Sequence, residues 1–490
     1  MLMNRVFFYR FRLVVFLLIS ISIVFLYQSI FSNREQIGEG DGNGASNPSG
    51  LLCSGKPCNV ILIVMDTLGA KHMGLYGYER DTTPFIDEFF GKQGVVFANA
   101  WSTATWTVPS FVSIYTSQYA SDITVEDLMN PRTVSFLDVL RDTGISLKAF
   151  TEVSIVPESE GPDIVCKNVL CKAVVGRFKP AEVERVVDAL QFLDAAQWVY
   201  DKEQAFVSGD KPFLLLIHNF IVHIPYDPPE PYRLLFDAAS PYQGSAYINT
   251  SRVSENFSQE EVERFRRQYD QEIRYVDDLL KDFFEQLPQD VLDSSVVILV
   301  GDHGEAFKEH GRLLHSGPPH EEQVHVPFLV HVPQLGSRVI SRNISLLDLG
   351  PTILDIFGLD SPGTFIGRSV VPLIRGEDIP DVLIRAESGF ATMPTSWSWQ
   401  FNDFDDTFFK LTDEERMGPV LDPTRVAARL EEWKLIKDFR RPDIKLELYN
   451  LNRDPKEQVN LILEWEALKK NDQQKILPLF EELGVAPPES

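Results

Sequence analysis

The fold is decided by residues Ser294–Ser316, SSVVILVGDHGEAFKEHGRLLHS. The stretch opens with an unbroken apolar run, Val296 to Val300, which is typical of a strand buried on both faces of a sheet. The run stops at Gly301, where the backbone can turn freely, and Asp302 and His303 follow. Open α/β sheets bind ligands just beyond the carboxyl ends of their strands. The Asp-His pair therefore stands where such a sheet would place a metal site, although it is also compatible with an ordinary polar turn.

Further along the chain, apolar runs alternate with helical patterns. The run Asn59–Met65 (NVILIVM) is a second predicted buried strand and ends at Asp66, and Phe213–His218 is a predicted strand that ends in a histidine. Ser258 and Glu261 form a capping box, after which apolar residues recur at helical spacing. We interpret that stripe as core packing; it comprises Val262, Phe265, Tyr269, Ile273, Val276, Leu280 and Phe283. The alternation predicts an α/β fold.

Length and charge restrict the class of protein. The chain has 490 residues, of which 44% are apolar, enough for one large domain and a smaller one. The formal net charge is -25, and we therefore expect no nucleic-acid partner, because phosphate binding requires clustered lysine and arginine.

The N-terminus carries a membrane signal. Arg5, Arg10 and Arg12 precede a nearly uninterrupted apolar run, Leu13 to Phe31, which is long enough to span a bilayer. The run lacks the small residues of a cleavage site, so we predict an uncleaved signal-anchor over residues 1–31, with a cleaved signal peptide as the alternative. The basic flank places everything after it on the extracytoplasmic side. Residues 32–55 are rich in Gly, Ser and Asn and are predicted to be a flexible linker.

The four cysteines form two local pairs in the sequence. Cys53 and Cys58 are one C-x4-C pair, and Cys166 and Cys171 are the other. An exported chain favours disulfides, and three pairings are possible. We expect two small local loops.

Several blocks together resemble the sulfatase family of the alkaline-phosphatase superfamily. They include GYERDTTPFIDEF (Gly77–Phe89), TWTVPSFVSIYTS (Thr105–Ser117), GDHGEAFKEHG (Gly301–Gly311) and LYNLNRDPKEQVNL (Leu448–Leu461). The resemblance implies a three-layer sandwich with a mainly parallel sheet, followed by a small C-terminal α+β subdomain. We place the catalytic domain at residues 56–378, the subdomain at 379–475 and a tail at 476–490. Residues 391–430 are polar and carry no predicted element.

The resemblance also implies a site. Asp66, Thr107, Asp302 and His303 match the family's ligands for one divalent metal, which Zn, Mn or Ca would suit. Thr107 occupies the nucleophile position. His223 and His315 match histidines that bind the substrate or protonate the leaving group. Because the family's Asp in the H-x-x-D-P-H motif is replaced by Ile221, we expect no second metal site.

The nucleophile motif departs from the sulfatase pattern. The family's C-x-P-S-R reads Thr107-Val108-Pro109-Ser110-Phe111, within a turn predicted to precede a helix that begins at Ser110. Threonine cannot be the precursor of formylglycine, and the arginine is missing at Phe111. Related phosphoethanolamine and glycerol-phosphate transferases and nucleotide phosphodiesterases use a threonine nucleophile.

The sequence therefore predicts a membrane-anchored, single-pass, metal-dependent hydrolase or phosphotransferase. It would act on phosphate or sulfate esters through Thr107, with a lipid head group, glycan or small molecule as the ester substrate. The alternatives are a sulfatase proper and a catalytically inactive, anchored binding protein of the same fold.

Overall fold

The computed structural model describes residues 58–124, 126–127, 133–141, 143–151, 183–184, 190–207, 212–236, 257–391, 418–440 and 445–488. The predicted anchor, Leu13–Phe31, lies outside these residues. Within them, no helix combines the length and the apolar character needed to cross a membrane. Cys58 is disulfide-bonded, but the predicted local pairing involves cysteines outside the described residues and stays a prediction.

The catalytic region is built on an eight-stranded sheet in the order β4-β3-β5-β1-β6-β7-β2-β8. Its neighbouring strands run parallel except where β7 pairs with β6 and β2. The strands are β1 (Asn59–Met65), β2 (Gly94–Trp101), β3 (Ser146–Thr151), β4 (Val183–Glu184), β5 (Phe213–Asn219), β6 (Ser295–Gly301), β7 (Phe328–His331) and β8 (Arg338–Ser345).

The predicted buried strands are confirmed. Every residue of β1 and β6 is buried, because apolar layers cover both faces of the sheet. Ile61 and Ile63 pack into one layer, whereas Val60 and Leu62 pack into the other. Each such side chain contributes about 1.5–3 kcal/mol when it is removed from water. This burial stabilises the sheet, and the candidate site lies at the carboxyl edge of that sheet.

Helices cover the sheet, as the α/β alternation predicts. The α-helices are α1 (Pro84–Gln93), α2 (Thr107–Thr116), α3 (Phe136–Arg141), α4 (Leu190–Val207), α5 (Gln259–Gln286), α6 (Gln289–Leu292), α7 (Glu321–Val324), α8 (Leu349–Ile356), α9 (Val371–Arg375) and α10 (Lys470–Glu482). Helix α5 begins at the predicted capping box of Ser258 and Glu261. Its apolar stripe is buried from Val262 to Phe283, so its interpretation as core packing is confirmed.

Helix α2 begins earlier than the sequence predicted. Thr107 is its first residue, Trp106 is the N-cap with an extended backbone, and Ser110 lies inside the first turn. The serine hydroxyl donates to the Trp106 carbonyl at 3.0 Å instead of capping the helix. Pro109 is tolerated here because the first N–H groups of a helix have no intrahelical acceptor. Thr107 therefore stands at the positive end of the helix.

Gly301 is needed for close packing rather than for a freely turning backbone. It is the last residue of β6, and its φ lies outside the left-handed region. A Cβ added at this position would collide with the carbonyl oxygen of Leu68. The glycine thus lets the segment after β1 approach β6, and this approach draws Asp66 and Asp302 together.

The C-terminal region forms a second, antiparallel sheet in the order β12-β11-β10-β9. Its strands are β9 (Ile384–Ala391), β10 (Leu421–Leu430), β11 (Trp433–Asp438) and β12 (Lys445–Asn450). Strand β10 lies in the region 391–430, where the sequence predicted no element. Helix α10 crosses the predicted boundary at residue 475, and its Ile476, Leu479 and Phe480 are buried in the core of this unit.

Candidate active site

The candidate site is assembled from the ends of adjacent strands. Strands β1 and β6 pair in register up to Met65 and Gly301, so the residues that follow them, Asp66 and Asp302, emerge side by side. Both carboxylates and the His303 ring are fully buried. The parallel register therefore brings together three of the predicted metal ligands, Asp66, Asp302 and His303.

The two carboxylates leave oxygens for a cation. Asp302 Oδ1 accepts the backbone N–H groups of Thr67 and His303 at 3.0 and 2.8 Å. Asp302 Oδ2 and Asp66 Oδ1 are buried and have no hydrogen-bond partner in the described part of the chain. Burial and the negative charge of Asp66 raise the pKa of Asp302 well above its usual value. Buried charges are normally paired or coordinate metals, so this donor set fits a divalent cation.

Thr107 lies at the centre of this group. Its Oγ1 donates to Asp66 Oδ2 at 3.2 Å and lies 3.2 Å from His303 Nε2. Unlike the carboxylates, Thr107 is only partly buried. The hydroxyl can therefore meet a substrate while it contacts the groups that would hold a metal.

The tautomer of His303 follows from its surroundings. Its Nδ1 lies 3.0 Å from the Gly304 carbonyl, which can only accept a hydrogen bond. The proton of the neutral ring therefore sits on Nδ1, and the lone pair of Nε2 points towards Thr107. Burial and the charge of His315 lower the pKa of His303 to about 4, so the ring is neutral at physiological pH and able to ligate a metal.

A strained residue fixes the position of Asp66. Thr67 has a φ of 59°, which is uncommon outside glycine and costs about 1–3 kcal/mol. The Tyr269 hydroxyl donates to the Thr67 carbonyl at 2.7 Å and accepts the Gly69 N–H at 3.1 Å. Helix α5 thus holds the backbone next to Asp66 through one buried hydroxyl.

His315 forms an ion pair with Glu305, whose side chain is buried. Its Nδ1 lies 3.2 Å from Glu305 Oε1, and the Tyr226 hydroxyl donates to Glu305 Oε2 at 2.7 Å. Burial alone would lower the pKa of His315, but the carboxylate of Glu305 raises it above its usual value. The ring centroids of His315 and His303 are 4.9 Å apart. Glu305 thus favours the protonated form of His315, which stands beside the predicted metal ligands.

The loop around His315 is anchored at both sides. Leu314 and Ser316 have positive φ angles of 65° and 63°. The Leu314 N–H donates to Ala306 O at 2.8 Å, and the Ser316 N–H donates to Thr105 O at 2.7 Å. The second bond ties the His315 loop to the segment that leads into Thr107.

His223 lies on the accessible side of the same group. Its Nδ1 lies 2.6 Å from the carbonyl of Ile224, so this nitrogen carries a proton and donates. The His223 and His315 ring centroids are 5.0 Å apart. The predicted site residues thus converge, with Asp66, Asp302 and His303 buried and Thr107, His223 and His315 more exposed.

Sequence reasoning missed three members of the site. His218 is the penultimate residue of β5, and its Nε2 lies 3.5 Å from Asp66 Oδ2. Glu305 and Tyr226 orient His315. The signal available for His218 was its place at the end of a buried strand run, the same signal that marked Asp66.

A second histidine cluster joins the segment after β6 to the C-terminal region. His310 Nδ1 lies 2.9 Å from Glu322 Oε1, and its Nε2 lies 3.0 Å from Glu457 O. Both partners are acceptors, so only the doubly protonated ring satisfies both. The rings of His310 and His320 stack in parallel at 3.7 Å. Lone pairs lie in the ring plane, and two parallel rings cannot both direct them to one ion, so we interpret this cluster as structural.

Comparisons with solved structures show which folds this chain resembles. The structure superimposes on phosphonate monoester hydrolase of Agrobacterium radiobacter with a TM-score of 0.60, 16% identity and coverage of 87% of this chain and 96% of that one. It also matches a protein solved with its substrate D-glucosamine-2-N,6-O-disulfate, with a TM-score of 0.59, 17% identity and coverage of 87% and 97%. These likenesses define an alkaline-phosphatase-like fold.

The sequence comparison gives the family. The sulfatase family model matches residues 58–359, and the chain belongs to the sulfatase family. Arylsulfatase K of Danio rerio is 22% identical over 457 residues, which cover 82% of this chain and 80% of that protein.

Proposed function

We propose that the protein is a metal-dependent ester hydrolase or phosphotransferase in which the Thr107 hydroxyl is the nucleophile. The observation that carries the proposal is the position of Thr107 Oγ1, 3.2 Å from both Asp66 Oδ2 and His303 Nε2. A non-catalytic protein of this fold would have no need to keep this contact together with the unpaired oxygens of Asp66 and Asp302.

Asp66, Asp302 and His303 would hold the divalent cation. When bound, such a cation lowers the pKa of a nearby hydroxyl and neutralises charge on the ester oxygens. Thr107 Oγ1 gives up its proton to solvent and attacks phosphorus. The Oγ1–P bond forms, and the bond from phosphorus to the leaving oxygen breaks. The helix N-terminus at Thr107 further stabilises the developing negative charge.

His315 is placed to donate the proton that the leaving oxygen needs. Its ion pair with Glu305 favours the charged form of the ring, and the anchored loop keeps it beside His303. After the leaving group departs, water or an acceptor alcohol attacks phosphorus and gives its proton to the now neutral His315. The Oγ1–P bond breaks, and Thr107 Oγ1 takes up a proton from solvent. His223 lies next to His315 and would bind the non-reacting ester oxygens.

The threonine favours phosphoryl over sulfuryl esters. A sulfated formylglycine hydrate can expel sulfate through its second hydroxyl. A sulfated threonine has no such exit, and water would have to attack sulfur directly. A phosphorylated threonine is resolved by water or by an alcohol. Phe111 also supplies no cation where the sulfatase pattern has arginine.

Hydrolysis of sulfate esters is the second candidate. It is favoured by the similarity to arylsulfatase K and to the structure solved with a disulfated glucosamine. The first candidate draws on the similarity to phosphonate monoester hydrolase. The chemistry of Thr107 decides between them, and we favour the phosphoryl ester.

A trapping experiment tests the nucleophile. The full chain is mixed with an aryl phosphate ester, quenched in acid and digested, and the peptide that contains Thr107 is examined by mass spectrometry. We expect phosphate on Thr107 in the wild type and none in Thr107→Ala. Ser110→Ala, which removes the nearest buried hydroxyl of the same helix, should still be phosphorylated. Absence of the phosphopeptide in the wild type under turnover, or its appearance in Thr107→Ala, would refute the proposal.

We also propose that the catalytic region is held outside the cytoplasm by a single membrane span at Leu13–Phe31. The support is the basic flank and the length of the apolar run. Such an anchor would bring the site close to lipid head groups or surface glycans as substrates. Protease added to sealed cells should remove the catalytic region and spare the N-terminus. A processed product that lacks residues 1–31 would contradict the anchor.

A further inference from the structure

His218 lies next to the proposed metal site because of strand register. Strand β5 pairs with β1, and His218 stands opposite Val64 in that pairing. The side chain of His218 is 5% exposed, and its Nε2 lies 3.5 Å from Asp66 Oδ2. Ligand atoms of Asp66, His218 and Asp302 all lie within 4.8 Å of one another. A buried imidazole is therefore positioned at the same point as the two carboxylates.

Two aromatic rings hold the imidazole of His218 in this orientation. The Phe111 ring centroid is 4.2 Å from that of His218, and the Phe220 centroid is 4.4 Å from it. Phe111 is buried and stands at the position where the C-x-P-S-R pattern has arginine. Compared with the arginine of the pattern, Phe111 carries no positive charge, and in addition its ring packs against His218. An apolar shell of this kind limits the access of solvent to a metal site.

We propose that His218 is a direct metal ligand, which gives the site two imidazoles and two carboxylates and selects Zn²⁺ over Ca²⁺. Calcium takes six to eight oxygen ligands. Zinc binds imidazole nitrogen together with carboxylate oxygen in sites of about four ligands. Asp66, Asp302, His303 and His218 match the zinc preference for mixed nitrogen and oxygen donors, and Thr107 Oγ1 or an ester oxygen would be a fifth ligand, which catalytic zinc sites can accept. This inference rests on the proposed function, because it concerns the metal of that site.

The test measures metal affinity directly. The metal-free full chain is titrated with Zn²⁺ and separately with Ca²⁺ in competition with a chromophoric chelator. We expect the wild type to bind Zn²⁺ far more tightly than Ca²⁺. His218→Gln should weaken Zn²⁺ binding by about 100-fold or more, because even the loss of a group that only orients a ligand costs about 10- to 100-fold. His218→Asp, which replaces nitrogen with oxygen, should lower the ratio of Zn²⁺ to Ca²⁺ affinity. His223→Gln serves as the matched control and should keep the wild-type Zn²⁺ affinity.

The outcomes separate this inference from the proposed function. Unchanged Zn²⁺ affinity in folded His218→Gln, or wild-type preference for Ca²⁺, would overturn the role of His218 and leave the Thr107 mechanism in place. Failure of the wild type to bind any divalent cation would overturn the proposed function itself. Circular dichroism is used to check whether each variant is folded. If His218→Gln does not fold, the affinity ratio of His218→Asp decides.

Discussion

Tyr269→Phe should damage both stability and activity, because one buried hydroxyl satisfies two backbone groups beside Asp66. The hydroxyl donates to Thr67 O at 2.7 Å and accepts the Gly69 N–H at 3.1 Å. Each buried backbone group left unpaired costs about 1–3 kcal/mol, so for two groups we expect a loss of about 2–6 kcal/mol in the free energy of unfolding. Relaxation of the strained Thr67 would also move Asp66, and a shift of about 1 Å at a catalytic group can cost about 100-fold in rate.

The chain offers a matched control in Tyr76. Its hydroxyl donates to Phe97 O at 3.1 Å and accepts the Phe328 N–H at 3.2 Å, the same pattern away from the site. Tyr76→Phe should therefore lose comparable stability and keep wild-type kcat/KM. Denaturant unfolding and steady-state kinetics of both variants are compared. If Tyr269→Phe is as active as Tyr76→Phe, the argument that Tyr269 positions Asp66 through the backbone is wrong.

Three other perturbations are informative. Asp302→Asn should lose bound metal and activity while staying folded, as metal analysis and circular dichroism would show; full activity would end the metal assignment. Glu305→Gln removes the charge that raises the pKa of His315, so the alkaline fall of the pH–rate profile should move to lower pH; an unmoved limb would contradict the role of this pair. Burial lowers the pKa of His310, but the hydrogen bond and charge of the Glu322 carboxylate outweigh it and raise the pKa to about 8. The stability from that raised pKa is full below the unfolded value of about 6.5 and is lost as pH rises through about 8. For this partly exposed group we expect about 1 kcal/mol, and His310→Gln should abolish that pH dependence of unfolding.

The sheet and the core of the site could be predicted because they depend on local patterns. The apolar runs before Asp66 and Asp302 are buried on both faces, so no other element type fits them well. Parallel strands end at one edge, which brings the residues that follow them together. The capping box at Ser258 could also be predicted from a local pattern, because both of its partners lie within one helical turn.

Other parts of the site could not be predicted because they depend on contacts between distant residues. Tyr226 meets Glu305 across 79 positions of the chain, and Tyr269 reaches Thr67 across 202. The start of helix α2 was misplaced because Ser110 resembles an N-cap, whereas its hydroxyl bonds to Trp106 inside the first turn. Strand β10 was missed because polar residues and a proline make up half of its sequence, and its order comes from pairing with β9 and β11.

The most direct test of the account compares wild type and Thr107→Ala on aryl phosphate and aryl sulfate esters that share one leaving group. We predict that the wild type has the higher kcat/KM for a phosphate ester, and that Thr107→Ala loses about 10³-fold or more of that activity, the scale expected for removal of a nucleophile. A wild type that prefers the sulfate ester, or a Thr107→Ala variant that keeps its rate, would contradict the account.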